Sequence, residues 1–139
     1  MKKVIYQVPD RVIGEYDAQN STMIDTWSSL MISVDDFRGS IYEIGVPFAV
    51  TNRITSWIVD TSTAEGLFKK DVQEFIDQTV APRFAEIGIR YFFIVLPQSA
   101  IAKLSAKHVA KINDNQDGMQ TIQVASVQEA IELIKKNRS

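Results

Sequence analysis

Cysteine is absent from all 139 residues, and histidine occurs once, at His108. The first absence excludes disulfides, thiolate zinc sites, iron–sulfur clusters and a cysteine nucleophile, and the second excludes multi-histidine metal sites. Charge of one sign is also lacking: 15 Lys plus Arg against 17 Asp plus Glu leave a formal net charge of -2. That balance has no cationic excess of the kind carried by proteins that coat nucleic acid, so no nucleic-acid partner is expected. No Walker-type glycine loop and no GxGxxG occurs, so no nucleotide cofactor is expected. The longest strongly apolar run, Tyr91 to Leu96, falls far short of the roughly 20 residues that span a bilayer. The apolar opening Val4-Ile5-Tyr6 is broken by Gln7 and Pro9-Asp10 before reaching the roughly 7–15 residues a signal peptide needs. A cytoplasmic protein is the expectation.

What is present suits one packed domain, 1–139. The chain is 45% hydrophobic and 23% charged, which supplies a core and argues against wholesale disorder. Val4 to Val8 is apolar and β-branched and stops at Pro9-Asp10; Arg11 to Asp17 and Thr22 to Ser28 flank the turn-forming cluster Ala18-Gln19-Asn20-Ser21. These runs predict three strands, the last two as an antiparallel hairpin. The period then changes. Ser33-Val34-Asp35-Asp36 has the form of a capping box, and Phe37, Ile41, Ile44 and Phe48 follow at helical spacing. Pro47 is expected to kink or end this helix, because its ring removes a donor and meets the preceding turn.

Ser56 to Asp60 reads as a buried strand. Ser62-Thr63-Ala64-Glu65 reads as a second capping box, ahead of Phe68, Val72, Phe75, Ile76 and Thr79 at helical spacing. Pro82 suits the start of a further helical turn, and Gly88 the left-handed residue past its end. Arg90 to Leu96 is the strongest strand, of the kind covered on both faces. From Ser99 a helix carries Ile101, Leu104, His108 and Ile112 on one side and Lys103, Lys107 and Lys111 along another. A polar loop (Asn113 to Gly118), an edge strand (Thr121 to Val124) and a third capping box at Ser126 to Glu129 complete the pattern. The last helix turns Ala130, Ile131 and Ile134 inward. Three strands, then helix–strand three times, then a closing helix predict an α/β domain. Its single mixed β-sheet has an antiparallel N-terminal hairpin followed by β-α repeats, with about four helices.

Several constellations have plain structural readings. Asn113 to Gly118 resembles a calcium loop at Asn115, Asp117 and Gly118, but Asn113 stands where Asp is wanted and Val124 where a bidentate Glu must sit. Asp35 and Asp36 point about 100° apart on a helix and are explained by its first turn, so no metal site is expected. His108 has no catalytic partner identifiable by motif, the lysine stripe reads as a solvated face, and Tyr91-Phe92-Phe93 reads as core. Asp60-Thr61-Ser62-Thr63 is the most informative segment. It falls where a parallel strand is predicted to give way to a helix, the edge at which α/β sheets usually bind ligands, and a phosphate would be electrostatically welcome there.

Element order and scattered strings carry a family resemblance. They are Trp57-Ile58-Val59-Asp60-Thr61-Ser62, Val80-Ala81-Pro82-Arg83-Phe84 with Gly88-Ile89-Arg90-Tyr91, Val95-Leu96-Pro97 through Ala102-Lys103-Leu104-Ser105, and Ser126-Val127-Gln128-Glu129-Ala130. From about Arg11 to Lys135 the chain resembles the SpoIIAA-like group of STAS-type domains, itself described as similar to CRAL-TRIO lipid-transfer domains. The resemblance implies a non-enzymatic regulatory module that docks on partner proteins. It also implies a phosphorylatable serine at the start of the second helix. Ser62 stands in that region, although no glycine follows it until Gly66.

Two functions are therefore expected. One is a protein-binding module whose surface is Asp60, Thr61, Ser62, Thr63 and Glu65, regulated by phosphorylation of Ser62. The other is a carrier or sensor of a small apolar ligand or lipid, weakly associated with a membrane through Lys103, Lys107 and Lys111. Its pocket would be formed by Ile44, Phe48, Trp57 and Phe68 under a helix kinked at Gly45 to Pro47. Neither function requires an enzyme or a cofactor, and a dimer is compatible with both.

Overall fold

The computed structural model of the chain describes residues 2–114 and 116–138, the last as backbone alone. One six-stranded sheet follows chain order: β1 (Lys2–Val8), β2 (Val12–Asp17), β3 (Thr22–Trp27), β4 (Ser56–Asp60), β5 (Tyr91–Val95) and β6 (Gln120–Val124). β1, β2 and β3 pair antiparallel, and β3 to β6 pair parallel. Tight turns suffice for the first three strands, with Asp10 and Ser21 in left-handed conformation (φ 62° and 49°). Parallel neighbours need longer crossovers, and here those are helices. The predicted mixed sheet is the one formed.

Four helices accompany it: α1 (34–51), α2 (70–86), α3 (Ala100–Asp114) and α4 (Val127–Arg138). Because β3 to β6 advance in one direction, crossovers of one hand put α1, α2 and α3 on the same face. Phe37, Ile41, Val72, Ile76, Phe84 and Val109 pack there against Tyr6, Met23, Trp27, Trp57 and Phe92. After the last strand α4 covers the other face, where Ala130, Ile131 and Ile134 meet Ile24, Ile58, Phe93 and Val124. Caps fix two of the starts: Ser33 Oγ accepts from the Asp36 amide and Ser126 Oγ from the Glu129 amide, each at 3.1 Å. Among the described residues no helix is long and apolar enough to cross a membrane, and no group of three ligating side chains could hold a metal ion.

Both proline-bearing helices run on through their prolines. In α1 the segment Arg38–Gly45 is π-helical, and the Val46 amide reaches back to the Ile41 carbonyl. In α2 the segment Ile76–Val80 is π-helical, and the Ala81 amide reaches the Ile76 carbonyl. Each wide turn ends two residues before a proline, Pro47 or Pro82. It lets the chain pass the position where the missing donor and the ring would break an ordinary helix. Of the two outcomes expected at Pro47, a kink or an end, the end is corrected, since α1 continues to Thr51. The wide turn also shifts the phase of the buried face. Phe37 and Ile41 are inside as the spacing predicts, but the next buried hydrophobic side chains are Val46 and Ala49, and Ile44 is 46% exposed.

Two further expectations are corrected. Ser62-Thr63-Ala64-Glu65 caps no helix: α2 starts at Lys70, after Lys69, which makes no side-chain cap. The backbone of Glu65 instead bonds to Ser28 and Leu30. The apolar row of α3 does not face the core as one side, because the buried residues are Ala102, Ser105, Ala106, Val109, Ile112 and Asn113. Small residues let α3 lie close to its neighbours, leaving Ile101 and Leu104 outside. Asn115, central to the calcium-loop comparison, lies outside the described residues.

Candidate functional site

Tyr6 in β1, Gly14 in β2 and Asp25 in β3 form one cross-strand row, Tyr6 opposite Gly14 and Gly14 opposite Asp25. Facing partners in a sheet share a face, so the row lies under the crossover helices. Tyr6 reaches that face through a bulge: the β1–β2 register shifts between Val4 and Tyr6, and without the extra residue its side chain would point the other way. Gly14 leaves open the space into which the Tyr6 ring lies down. The phenol then spans the width of a strand and donates to Asp25 Oδ1, while Trp57 Nε1 donates to Asp25 Oδ2 at 2.9 Å. Gly45 of α1 closes the site from above, its would-be Cβ 3.0 Å from the Tyr6 ring and 3.2 Å from Trp57.

Asp25 is 2% exposed. Burial, opposed by the two donors, pushes its carboxyl up to about 7, because desolvation penalises the charged form. Burial, reinforced by the Asp25 charge, holds the Tyr6 phenol well above its ordinary range. Beside this acid lies a cavity of about 40 Å³, room for one or two water molecules. Its wall is almost wholly apolar, including Trp27, Phe37, Phe68, Phe84, Phe92 and Trp57. Trp57 stacks on Phe84 at 4.3 Å, and Phe68 stands edge-on to Trp27 at 5.3 Å. Apart from the two indoles, the polar side chains of the wall among the described residues are Asp25 and Asn113. Asn113 is also 2% exposed; its Nδ2 donates to the Val109 carbonyl, which fixes the amide orientation, and its Oδ1 has no partner among the described residues. A buried acceptor left unpaired costs about 1–3 kcal/mol, so the cavity favours a molecule that brings a donor.

The residues singled out in the sequence divide between two places. Trp57 and Phe68 stand in the cavity wall. Phe48 lies outside it, edge-on to Tyr16 at 5.0 Å, and Ile44 faces outward. The corner after β4 is occupied by its own bonds. Thr61 is buried and gives both its amide and its Oγ1 to the Val95 carbonyl (3.1 and 2.6 Å). Asp60 Oδ1 accepts the Ser62 amide at 3.0 Å. Ser62 is half-buried, and Thr63 and Glu65 are exposed.

Tyr6, Asp25 and Asn113 escaped the sequence reading. For Asp25 a signal existed: it shares its strand parity with Met23 and Trp27, and an acid between two large apolar residues of one face must be buried. Asn113 lies in the last turn of α3, whereas the sequence predicts it as the first residue of a polar loop. Compared with family models, curated proteins and solved structures, the chain matches none of them.

Proposed function

We propose that this chain is a non-enzymatic module that binds or senses a small, neutral, largely apolar molecule with one O–H or N–H group, taken up between the sheet and its crossover helices. The observation that carries this reading is Asn113, a lining residue of an aromatic cavity whose buried Oδ1 has no partner among the described residues. Both Asp25 oxygens are engaged by Tyr6 and Trp57, which suits a fixed polar landmark better than a base that takes a substrate proton. A ligand larger than two waters must part the roof. Ile41, Ile76 and Val80 line that roof, and all three sit in the π-helical turns of α1 and α2, segments with poorer hydrogen-bond geometry than α-helix.

Phenol is a suitable probe, with one donor on an apolar ring. Titration is expected to change the emission of Trp27 and Trp57 and to shift the methyl resonances of Ile41 and Ile76. Val80→Ile puts one more methylene into the roof. It should raise stability by up to about 0.8 kcal/mol and weaken phenol binding. Unchanged tryptophan emission and unchanged methyl resonances at saturating phenol would remove the basis for this function.

Partner docking at the carboxyl rim is a second reading, favoured by one observation. Leu104 is 73% exposed, and Met31, Leu67 and Ile101 are exposed at the same rim. Lys69, Lys70 and Lys103 are exposed at the same rim, as are Asp35, Asp36 and Glu65, so the fitting partner is an amphipathic protein segment with charges of both signs. Phosphorylation of Ser62 would add negative charge beside the Asp60 carboxylate that holds the Ser62 amide, an unfavourable placement. Leu104→Asp should abolish cross-linking to such a partner in the source cells without changing the melting temperature. Retained cross-linking would refute this second reading.

A further inference from the structure

At the amino rim of the parallel strands, away from the aromatic cavity, lies an open hollow of about 310 Å³, the lower end of the size range for small-molecule sites. Arg53 and Arg90 line it from the approaches to β4 and β5, with Asn20 and Ser21 from the approach to β3 and with Tyr91 and Ile134 as apolar wall. Among the described residues neither guanidinium has a hydrogen-bond or ion-pair partner, and no acidic side chain lines the hollow. Asn20 is 4% exposed. Its backbone amide and Nδ2 both donate to the Asp17 carboxylate (3.3 and 2.8 Å), which fixes its orientation and leaves Oδ1 without a partner among the described residues.

Two unpaired guanidiniums want an oxyanion, and a buried amide oxygen wants a donor. We propose that this hollow binds a small oxyanion that also carries a hydroxyl group, a phosphate ester or carboxylate of a polyhydroxy compound. Arg53 and Arg90 hold the anion, and the hydroxyl donates to Asn20 Oδ1. The site is independent of the apolar cavity, so a ligand in one neither requires nor excludes a ligand in the other.

Amide resonances of the full chain can be followed while glycerol phosphate, glycerate, inorganic phosphate and glycerol are added in turn. Glycerol phosphate, glycerate or both should shift Ser21, Arg53 and Arg90, and the preferred one identifies the anion. Glycerol phosphate, if it is the one preferred, should bind more tightly than inorganic phosphate, because only it supplies the hydroxyl; glycerol alone should shift nothing. Arg53 holds a left-handed conformation (φ 52°) in which glycine is unstrained. Arg53→Gly should therefore raise the melting temperature while weakening the anion about tenfold or more, the loss expected for one charge-assisted contact. A residue with only a structural role would not show that opposition. Arg90→Gln should weaken binding similarly in a folded protein. The site is overturned if neither hydroxylated anion moves these amides, if the preferred one is glycerol phosphate and inorganic phosphate binds as well as it does, or if both variants bind like the parent.

Discussion

Asp25→Asn is expected to grow steadily more stable than the parent as the pH rises from 4 to 8. The folded carboxyl is pushed up to about 7 by burial, against 3.8 for the free group. Between those values the folded chain holds a proton that the unfolded chain has released, so the parent loses stability as pH rises. The contribution is complete below about 4 and gone above about 7. That interval corresponds to about 4 kcal/mol. Asparagine has the shape of the neutral acid: its Oδ1 can still accept from Trp57, and its amide can donate to the Tyr6 oxygen if the hydroxyl turns. The variant should match the parent closely at pH 4 and below, already exceed it at pH 5 by about 1 kcal/mol, and exceed it most at pH 8. Denaturant titrations of both proteins across this range measure the difference directly, and the other carboxylates cancel in it. Parallel stability curves would show that Asp25 is ionised in the folded protein at neutral pH. Asp25→Leu should be less stable than Asp25→Asn at every pH, because it leaves the Tyr6 hydroxyl and the Trp57 indole N–H buried without an acceptor.

The element order was legible because periods of two and of 3.6 alternate along the chain, with Pro9, Ser33, Gly88 and Ser126 punctuating the changes. Two kinds of error remained, each with a physical cause. Spacing arithmetic assumes 3.6 residues per turn, so it placed Ile44 inside. The π-helical turn of α1 advances the buried face by one position and brings in Val46. Helical spacing groups Ile101 and Leu104 on one side with Ile112, whereas α3 packs through Ala102, Ser105 and Ala106. The corner at Asp60 to Thr63 was found from topology, yet its hydrogen bonds depend on where β5 ends, since the Val95 carbonyl takes both donors of Thr61. The Asp25 site joins three strands through a bulge in β1. Only the register reveals that Tyr6, Gly14 and Asp25 stand in one row.

Gly14→Ala carries the other large effect, and it tests that row. Gly14 is not among the glycines with positive φ, so space rather than backbone conformation selects it. A Cβ there would overlap the Tyr6 ring, which lies directly over the glycine. The ring has little room to lift away, because Gly45 of α1 lies over it: a Cβ on Gly45 would come within 3.0 Å of Tyr6 Cε2. Alanine must therefore expel Tyr6 or push α1 outward. Overpacking of this kind costs about 1–3 kcal/mol, and the lost buried hydrogen bond to Asp25 adds about 1–3 kcal/mol, so the variant should lose roughly 4 kcal/mol. The sign should change once the obstacle is removed. In a Tyr6→Ala background the same substitution fills empty space and replaces a flexible strand glycine, so it should be neutral or stabilising by up to about 1 kcal/mol. A double-mutant cycle by denaturant unfolding reads the coupling. Equal costs of Gly14→Ala in both backgrounds would mean that the ring does not lie over this glycine, and that Tyr6 is not what holds Asp25 at the edge of the cavity.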